Sequence, residues 1–315
     1  MLKDFYNRPL KDFRISVTNK CNLNCIYCHH EGIHDKINGL NDIELTADEI
    51  ISIVEVSTKF GIENVKLTGG EPLVRQDIYE IIQKISKIKA IKDISLVTNG
   101  TLLKNKAKKL AEAGLNRINV SLDTLDENLY QKIIRTKVKY SPNDIIEGIK
   151  ASIKYGLTPI KINYLVLKGL NDKDLNEMIK LTCNLGSEVM LQVIELIPSD
   201  HPEIFNEFYV NFDEIEKKLS KLGDFTEFRA LQKRKIYHLK NSCNVEVVRP
   251  NDNVEFCMNC HKIRLTSNGN LKTCLRRNDN LINLIHILRG NASNKEELIF
   301  ESFQKALQIR EPYCL

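Results

Sequence analysis

Six strand patterns alternate with helix patterns over the first two thirds of the chain, and this alternation limits the folds it can adopt. Short runs rich in Ile, Val and Leu, each followed by a polar or glycine-containing turn, occupy residues 13–17, 64–68, 94–98, 117–122, 159–167 and 189–197. The clearest helix pattern covers residues 46–60, where Thr46 and Glu49 form a capping box before Gly61 ends the helix. Strand–helix units in series predict a parallel sheet covered by helices, and six units predict an open (β/α)6 barrel.

The pattern changes after Pro-Ser-Asp-His-Pro at residues 198–202. We therefore expect residues 1–200 to form an α/β domain, a partial TIM-like barrel, and residues 201–315 to form a smaller α+β domain over the barrel mouth. That second domain is predicted to contain helices near 212–222 and 294–309 and strands near 245–249, 262–266 and 271–275. The chain has neither a signal peptide nor an apolar run as long as a membrane span, which predicts a cytoplasmic location.

Three of the nine cysteines directly follow the first predicted strand as C-N-L-N-C-I-Y-C. This first cysteine group consists of Cys21, Cys25 and Cys28. Three thiolates can hold three irons of a four-iron, four-sulfur cluster and leave the fourth iron open for chemistry. The alternative is a structural zinc ion, for which His29 or His30 would complete the set of four ligands.

Two further features accompany the first cysteine group: Tyr27 just before its last member, and Gly-Gly-Glu-Pro at residues 69–72, one strand–helix unit later. With them the sequence resembles the radical S-adenosylmethionine (SAM) superfamily. The resemblance implies that the first cysteine group binds a four-iron cluster whose open iron is chelated by SAM. It also implies SAM contacts from Tyr27, Gly70, Ser121 and Ile197.

A second cysteine group, Cys257, Cys260 and Cys274, follows the pattern C-x2-C-x13-C. Structural zinc with His261 is again the alternative, but a second set of three thiolates favours a second four-iron cluster whose open iron binds substrate. The other three cysteines are predicted to be buried apolar groups or free thiols, without disulfide bonds or a function; they are Cys183, Cys243 and Cys314.

The second cysteine group and the Lys-Ile-Arg-Leu-Thr run at residues 262–266 resemble the GTP 3′,8-cyclase family, and this similarity extends over residues 13–275. The resemblance implies the first step of molybdenum cofactor biosynthesis, conversion of GTP to 3′,8-cyclo-7,8-dihydro-GTP. Guanine would bind the open iron of the second cluster. Because the chain has no P-loop, dispersed side chains would hold the triphosphate. The predicted substrate-binding residues are Arg14, Lys66, Thr98, Lys161, Lys262, Ile263 and Arg264.

The family chemistry predicts how such an enzyme would work. A reduced first cluster would cleave SAM to methionine and a 5′-deoxyadenosyl radical, which would abstract the ribose 3′ hydrogen before the sugar attacks C8 of guanine. No side chain is predicted to act as a catalytic acid or base. The expected partners are GTP, a reductant such as flavodoxin or ferredoxin, the downstream cyclic pyranopterin monophosphate synthase, and a second copy in a homodimer. A net charge of +5 and the absence of tryptophan argue against nucleic-acid binding.

Two alternatives and one departure accompany this interpretation. The chain could be another radical SAM enzyme with an auxiliary cluster, such as a peptide-modifying maturase. It could instead be a non-enzymatic iron–sulfur electron carrier or a zinc-stabilised binding module, although neither explains Gly-Gly-Glu-Pro. The family typically ends in a Gly-Gly tail that supports cyclisation, whereas residues 310–315 read Arg-Glu-Pro-Tyr-Cys-Leu. We hypothesise that Arg310 acts in place of the tail.

Overall fold

One twelve-stranded β-sheet organises the molecule within the residues that the computed structural model describes, which are 2–29, 44–198, 202–240 and 243–314. The strands are β1 (Asp12–Ser16), β2 (Asn64–Thr68), β3 (Asp93–Thr98), β4 (Arg117–Ser121), β5 (Ile160–Leu165), β6 (Val189–Ile194), β7 (Gly223–Phe228), β8 (Lys235–Leu239), β9 (Asn244–Val248), β10 (Lys262–Leu265), β11 (Asn270–Lys272) and β12 (Ile282–Asn283). Their order across the sheet is β12-β11-β10-β1-β2-β3-β4-β5-β6-β9-β8-β7.

Helices connect the strands and cover the outside of the sheet. They are α1 (Ala47–Thr58), α2 (Ile78–Ser86), α3 (Leu103–Glu112), α4 (Glu127–Ile134), α5 (Pro142–Lys154), α6 (Leu175–Leu185), α7 (Pro202–Phe208), α8 (Phe212–Leu222), α9 (Val254–Met258), α10 (Ile285–Arg289) and α11 (Lys295–Gln308). The predicted capping box is present, because Thr46 and Glu49 exchange backbone and side-chain hydrogen bonds at the start of α1. No helix in the described ranges is long and apolar enough to cross a lipid bilayer.

The predicted barrel is confirmed. Strands β1 to β6 lie side by side in chain order, and every neighbouring pair is parallel. The connections between them carry helices, as parallel pairing requires. The observed strand bounds differ from the predicted ones by at most three residues, the largest difference being at β6, which ends at Ile194 rather than at residue 197.

Part of the C-terminal region lies at the barrel mouth, where Phe205 and Phe208 of α7 share a hydrophobic cluster with Tyr27 and Leu196. Strand β9 pairs in parallel with β6, and β10 pairs in parallel with β1, so this region extends the same sheet at both edges. Its last helix, α11, covers the outside of the barrel, where Phe303 contacts both Phe13 and Phe60. The proposed domain boundary at residues 200 and 201 lies outside the described residues, so the division into two domains stays a prediction.

The two faces of the barrel strands differ in chemistry. On β1 and β2 the side chains of Phe13, Ile15, Val65 and Leu67 are fully buried in the hydrophobic core. Since successive side chains point to opposite faces of a strand, the intervening residues, among them the predicted substrate ligand Arg14, face the barrel interior. The outer face therefore stabilises the fold, while the inner face is free to carry charged groups.

One expectation about the cysteines is wrong. Cys183, on α6, and Cys243, just before β9, form a disulfide bond. The topology explains this pairing: α6 leads into β6, and β9 lies next to β6, so residues 60 positions apart in sequence meet at one edge of the barrel. Neither spacing nor local pattern marks this pair, because the contact depends on which strand β9 joins.

Candidate active site

The first cysteine group lies in the loop that follows β1, at the carboxyl end of the parallel strands. Cys21 is exposed, whereas Cys25 and Cys28 are partly buried. Burial raises the pKa of the Cys25 thiol well above its usual range, and the negative charges of Asp123, Cys28 and Cys21 raise it further. The backbone N–H of Cys28 donates to the Cys25 carbonyl at 3.1 Å, and a bound cationic centre would relieve the repulsion among the three thiolates. Soft thiolates suit an iron–sulfur cluster.

The zinc alternative uses the same three thiols, with His29 or His30 as the fourth ligand. His30 lies outside the described residues, so nothing can be said of its position. Within the described ranges, no group of three or more His, Cys, Asp or Glu side chains is arranged to hold a single metal ion.

Gly69 and Gly70, at the end of β2, are in contact with the cysteine loop. An ideal Cβ on Gly70 would lie 2.3 Å from the carbonyl oxygen of Lys20, and one on Gly69 would lie 2.4 Å from that of Thr18. The backbone N–H of Gly70 also donates to the Thr18 carbonyl at 2.8 Å. The glycine pair is thus required by the close approach of the loop that carries Cys21. The predicted contact between Gly70 and SAM stays a prediction.

Glu71 connects the ends of β2 and β3 beneath the cysteine loop, and sequence reasoning gave it no role. Its carboxylate is 1% exposed and accepts hydrogen bonds from the Thr98 hydroxyl at 2.7 Å, the Asn99 N–H at 2.7 Å and the Leu73 N–H at 3.0 Å. The predicted substrate ligand Thr98 is therefore buried and already donates its hydroxyl proton to Glu71. Asn99 in turn donates a weak hydrogen bond to the Cys21 sulfur at 3.9 Å.

Stability should depend on pH through Glu71. Burial raises the pKa of this carboxyl from 4.5 to about 7, although the hydrogen bonds from Asn99, Thr98 and Leu73 oppose the shift. Because the folded state then binds a proton more tightly than the unfolded state, stability falls as pH rises from about 4.5 through 7. We expect the melting temperature of the native protein, relative to that of Glu71→Gln, to fall between pH 5.5 and 8. A difference that is constant over this range would contradict the assignment.

Tyr27 anchors the last part of the cysteine loop to the end of β4. Its hydroxyl donates to the buried carboxylate of Asp123, whose other oxygen accepts from the Leu165 N–H at 2.9 Å. These hydrogen bonds attach the loop that follows β1 to the carboxyl ends of β4 and β5. Ser121, at the carboxyl end of β4, and Ile197, three residues beyond the carboxyl end of β6, are both partly exposed. Their predicted SAM contacts stay predictions.

Five of the predicted substrate ligands form a cationic group inside the barrel, which we call the basic layer: Arg14, Lys66, Lys161, Lys262 and Arg264. Arg264, Arg14 and Lys66 stand side by side on β10, β1 and β2. Burial lowers the pKa of Lys66 well below its usual range, and the positive charges of Arg117, Arg14, Lys161 and Lys262 lower it further. Such a concentration of positive charge is typical of a polyanion site.

Ile263 differs from its neighbours in the Lys-Ile-Arg run. Its side chain is fully buried in the hydrophobic core, on the opposite face of β10 from Lys262 and Arg264. Only its backbone could contact a molecule held inside the barrel.

Glu246, on β9, is the counter-ion at one side of the basic layer, and sequence reasoning missed it. The residue is 0% exposed and accepts from Lys161, from Gln192 and from Arg229 at 3.1 Å, while Arg234 lies at 3.7 Å. Burial alone would raise the pKa of Glu246, but Lys161, Arg234 and Arg229 reverse the effect and hold it well below the usual range. Arg229 and Arg234 extend the cationic surface beyond the predicted set.

The second cysteine group lies at the opposite end of the barrel from the first. Cys257 and Cys260 precede β10, which runs parallel to β1 with Lys262 opposite Asp12, so they lie near the amino ends of the strands. Cys274 follows β11 and lies at the same end of the barrel, because β11 runs antiparallel to β10. Burial would raise the pKa of Cys260, but Arg310 and Lys262 lower it, which favours the thiolate that iron requires.

Arg310 lies beside the second cysteine group, and its hypothesised role in place of the tail stays a prediction. It is 1% exposed, and its guanidinium donates to Asp4 at 2.7 Å and to the Cys260 carbonyl. Asp4 also accepts from Arg8 at 2.8 Å, and Arg8 donates to the Cys257 carbonyl at 3.0 Å. Arg310 therefore helps to hold the backbone of the second cysteine group, and its buried Nε has no hydrogen-bond partner among the described residues.

Gln232 connects the basic layer with the second cysteine group. Its backbone adopts the left-handed conformation with φ of 60°, which is uncommon for a non-glycine residue, and the side chain is 6% exposed. The amide oxygen accepts from Lys262 at 3.0 Å, while the amide nitrogen lies 3.8 Å from the Cys260 sulfur. Strain of this kind is often retained at functional sites.

Comparison with known proteins defines the class of the molecule. The model of the radical SAM superfamily matches residues 15–182, and that of Molybdenum Cofactor Synthesis C matches residues 189–314. The chain is thus a radical SAM enzyme. It is 44% identical over 313 residues to the probable GTP 3′,8-cyclase of Methanocaldococcus jannaschii and 41% identical over 319 residues to that of Thermococcus kodakarensis, with 99% of each chain covered. It therefore belongs to the GTP 3′,8-cyclase family.

Solved structures support the fold. Streptococcus suis SuiB bound to S-adenosylmethionine superimposes with a TM-score of 0.65 at 18% identity, and the match covers 88% of this chain but 63% of SuiB. The structure of anSMEcpe with bound AdoMet gives a TM-score of 0.60 at 19% identity, covering 87% of this chain and 76% of that one. At these identities the likeness concerns the fold alone.

Proposed function

We propose that the protein converts GTP to 3′,8-cyclo-7,8-dihydro-GTP, with SAM bound near the first cysteine group and GTP inside the barrel. The observation that carries this proposal is the arrangement of three charged or reactive groups along one axis. The first cysteine group lies at the carboxyl end of the strands, the second at the amino end, and the basic layer lies between them. A nucleotide in the barrel could thus reach SAM at one end and iron at the other.

The proposed cofactors are two four-iron clusters and SAM. When bound, the first cluster supplies the electron that cleaves SAM, and the second offers an open iron to the guanine base. Cys21, Cys25 and Cys28 would hold the first cluster, and Cys257, Cys260 and Cys274 the second. The thiolate donor sets suit iron–sulfur clusters, and the cationic surroundings of Cys260 support the second assignment.

The protein residues would position the reactants rather than transfer protons. Arg14, Lys66 and Arg264 stand side by side on adjacent strands and would bind phosphate oxygens with charge-assisted hydrogen bonds, which are stronger than neutral ones. Lys161 and Lys262 would complete the site. The layer is partly buried, which would limit access of water to a reaction that proceeds through radicals, and holding both reactants in one geometry lowers the barrier.

The remaining parts of the proposal concern partners. A one-electron donor such as flavodoxin or ferredoxin would reduce the first cluster, and cyclic pyranopterin monophosphate synthase would consume the product. We further propose a cytoplasmic location and a homodimer. Size-exclusion chromatography with light scattering, at several protein concentrations, tests the dimer directly.

Binding of GTP should weaken when the basic layer loses one charge. Lys66→Met removes a cation next to Arg14, and a charge-assisted hydrogen bond contributes about 1.5–3 kcal/mol, so we expect Kd for GTP to rise by roughly ten-fold to a hundred-fold. The matched control is Lys108→Met on α3, whose side chain is 64% exposed and pairs with Glu112. Isothermal titration calorimetry in the absence of SAM measures the affinity of each variant for GTP. Equal affinities for the two variants would contradict the phosphate site.

Affinity for GTP should also fall with rising pH. Burial lowers the pKa of Lys66 well below its usual range and that of Lys161 to about 8. A triphosphate raises the pKa of both lysines, so binding takes up protons, and affinity declines as pH increases past about 8. Calorimetry in two buffers of different ionisation enthalpy would detect this uptake, and proton release on binding would contradict it.

A further inference from the structure

Cys314 lies beside the second cysteine group. Seven cysteines of the described residues are free, and six of them form the two groups already assigned, so Cys314 is the seventh. Its sulfur lies 3.3 Å from the sulfur of Cys257, within contact distance, and 3.7 Å from the carbonyl oxygen of Pro250. Four thiols, not three, therefore belong to this end of the barrel.

Several contacts hold the C-terminal segment 310–314, which carries Cys314, in this position. Arg310 binds Asp4 and the Cys260 carbonyl. Glu311 forms an ion pair with Arg277 at 2.6 Å, and the ring of Tyr313 lies 4.0 Å from the guanidinium carbon of Arg276. Since Arg276 and Arg277 closely follow Cys274, the segment is attached next to all three predicted cluster ligands. The surrounding packing thus keeps Cys314 beside the second cysteine group.

We infer that Cys314 is a fourth thiolate ligand of the second cluster when no nucleotide is bound. This inference rests on the proposed function, because it requires the second cluster and a substrate that reaches its open iron. Four thiolates are the usual complement of a four-iron cluster, and a fourth thiol is available here. When guanine binds, the bond between iron and the Cys314 sulfur breaks, a bond to a nitrogen or oxygen of the base forms, and the released thiolate takes a proton from water. No electron is transferred.

Alkylation with iodoacetamide under anaerobic conditions, in the cluster-loaded native protein, tests whether Cys314 binds the second cluster. Peptide mass spectrometry should find Cys314 modified at least ten-fold more slowly than in the iron-free protein. GTP, added without SAM or reductant, should restore the reactivity of Cys314 while Cys257, Cys260 and Cys274 stay protected. Equal rates at Cys314 in loaded and iron-free protein would overturn the inference. Protection that GTP does not relieve would support the fourth ligand and count against GTP as the molecule that displaces it.

A second measurement depends on neither GTP nor SAM. In protein with the first cysteine group changed to alanine, ferricyanide oxidation should convert the second cluster to a three-iron form far more readily in Cys314→Ser than with Cys314 present. The conversion is followed by electron paramagnetic resonance. Tyr313→Phe, which keeps the ring near Arg276, is the matched control and should behave like the parent. Equal conversion with and without Cys314 would refute the ligand role, whatever the outcome of the cyclase assay.

Discussion

Replacing Glu246 with glutamine should lower the free energy of unfolding by about 3–5 kcal/mol, because it leaves buried cations without their counter-ion. The carboxylate is 0% exposed and is shared by Lys161, Arg229 and Arg234. Anaerobic urea denaturation of the cluster-loaded protein measures the change as a lower midpoint. Saturating GTP should reduce the difference in free energy of unfolding between the variant and the native protein, since its phosphates would supply part of the missing negative charge.

The control for this prediction is Glu227→Gln on β7, the edge strand of the same sheet. Glu227 is 54% exposed and faces His238 at 3.4 Å, so its replacement should change the free energy of unfolding by less than about 0.5 kcal/mol. If Glu246→Gln denatured at the native midpoint, Glu246 would not be the counter-ion of the basic layer.

The second large effect is expected for Gly70→Ala. The added methyl group would lie 2.3 Å from the carbonyl oxygen of Lys20 and 2.8 Å from that of Asn19, closer than real Cβ contacts allow. Both atoms belong to backbone that leads directly into Cys21, so the loop must move. A displacement on the order of 1 Å costs about a hundred-fold in rate when reacting groups must be aligned. We expect SAM cleavage to fall by that factor, together with a loss of iron from the first site.

Gly223→Ala provides the comparison. Gly223 has φ of −86°, and its nearest neighbours would lie 3.4 Å from an added Cβ, which is an ordinary contact. This variant should keep its iron content and its rate of SAM cleavage. Measuring iron per chain and 5′-deoxyadenosine formation in both variants separates a specific effect on the cysteine loop from a general effect of the substitution. Native iron content and rate in Gly70→Ala would show that the loop tolerates the contact.

Local patterns were sufficient to predict the barrel. Strand β2 was predicted with its observed bounds, and the capping box at Thr46 marks the start of α1. The charges of Arg14 and Lys66 on otherwise apolar strands also pointed to a polar interior, because an unpaired charge is rarely placed in a hydrophobic core. These signals depend on residues close together in sequence, which is why they could be read from the chain.

The missed features all depend on pairing between distant segments. Strands β9 and β10 join opposite edges of the barrel, and no local pattern specifies which edge a short strand will choose. Glu246 could be identified as a counter-ion only once β9 was known to lie beside β6, within reach of Lys161. The disulfide between Cys183 and Cys243 and the contact of Cys314 with Cys257 depend on distant pairing in the same way.

The most direct test of the central claim is an anaerobic assay of the reconstituted, reduced protein with SAM and GTP, followed by mass spectrometry. The proposed function predicts 5′-deoxyadenosine together with an isomer of GTP that rearranges to a pterin, and neither product when Cys25 is changed to serine. Formation of 5′-deoxyadenosine with GTP left unchanged would keep the radical SAM class and contradict the assignment of GTP as the substrate.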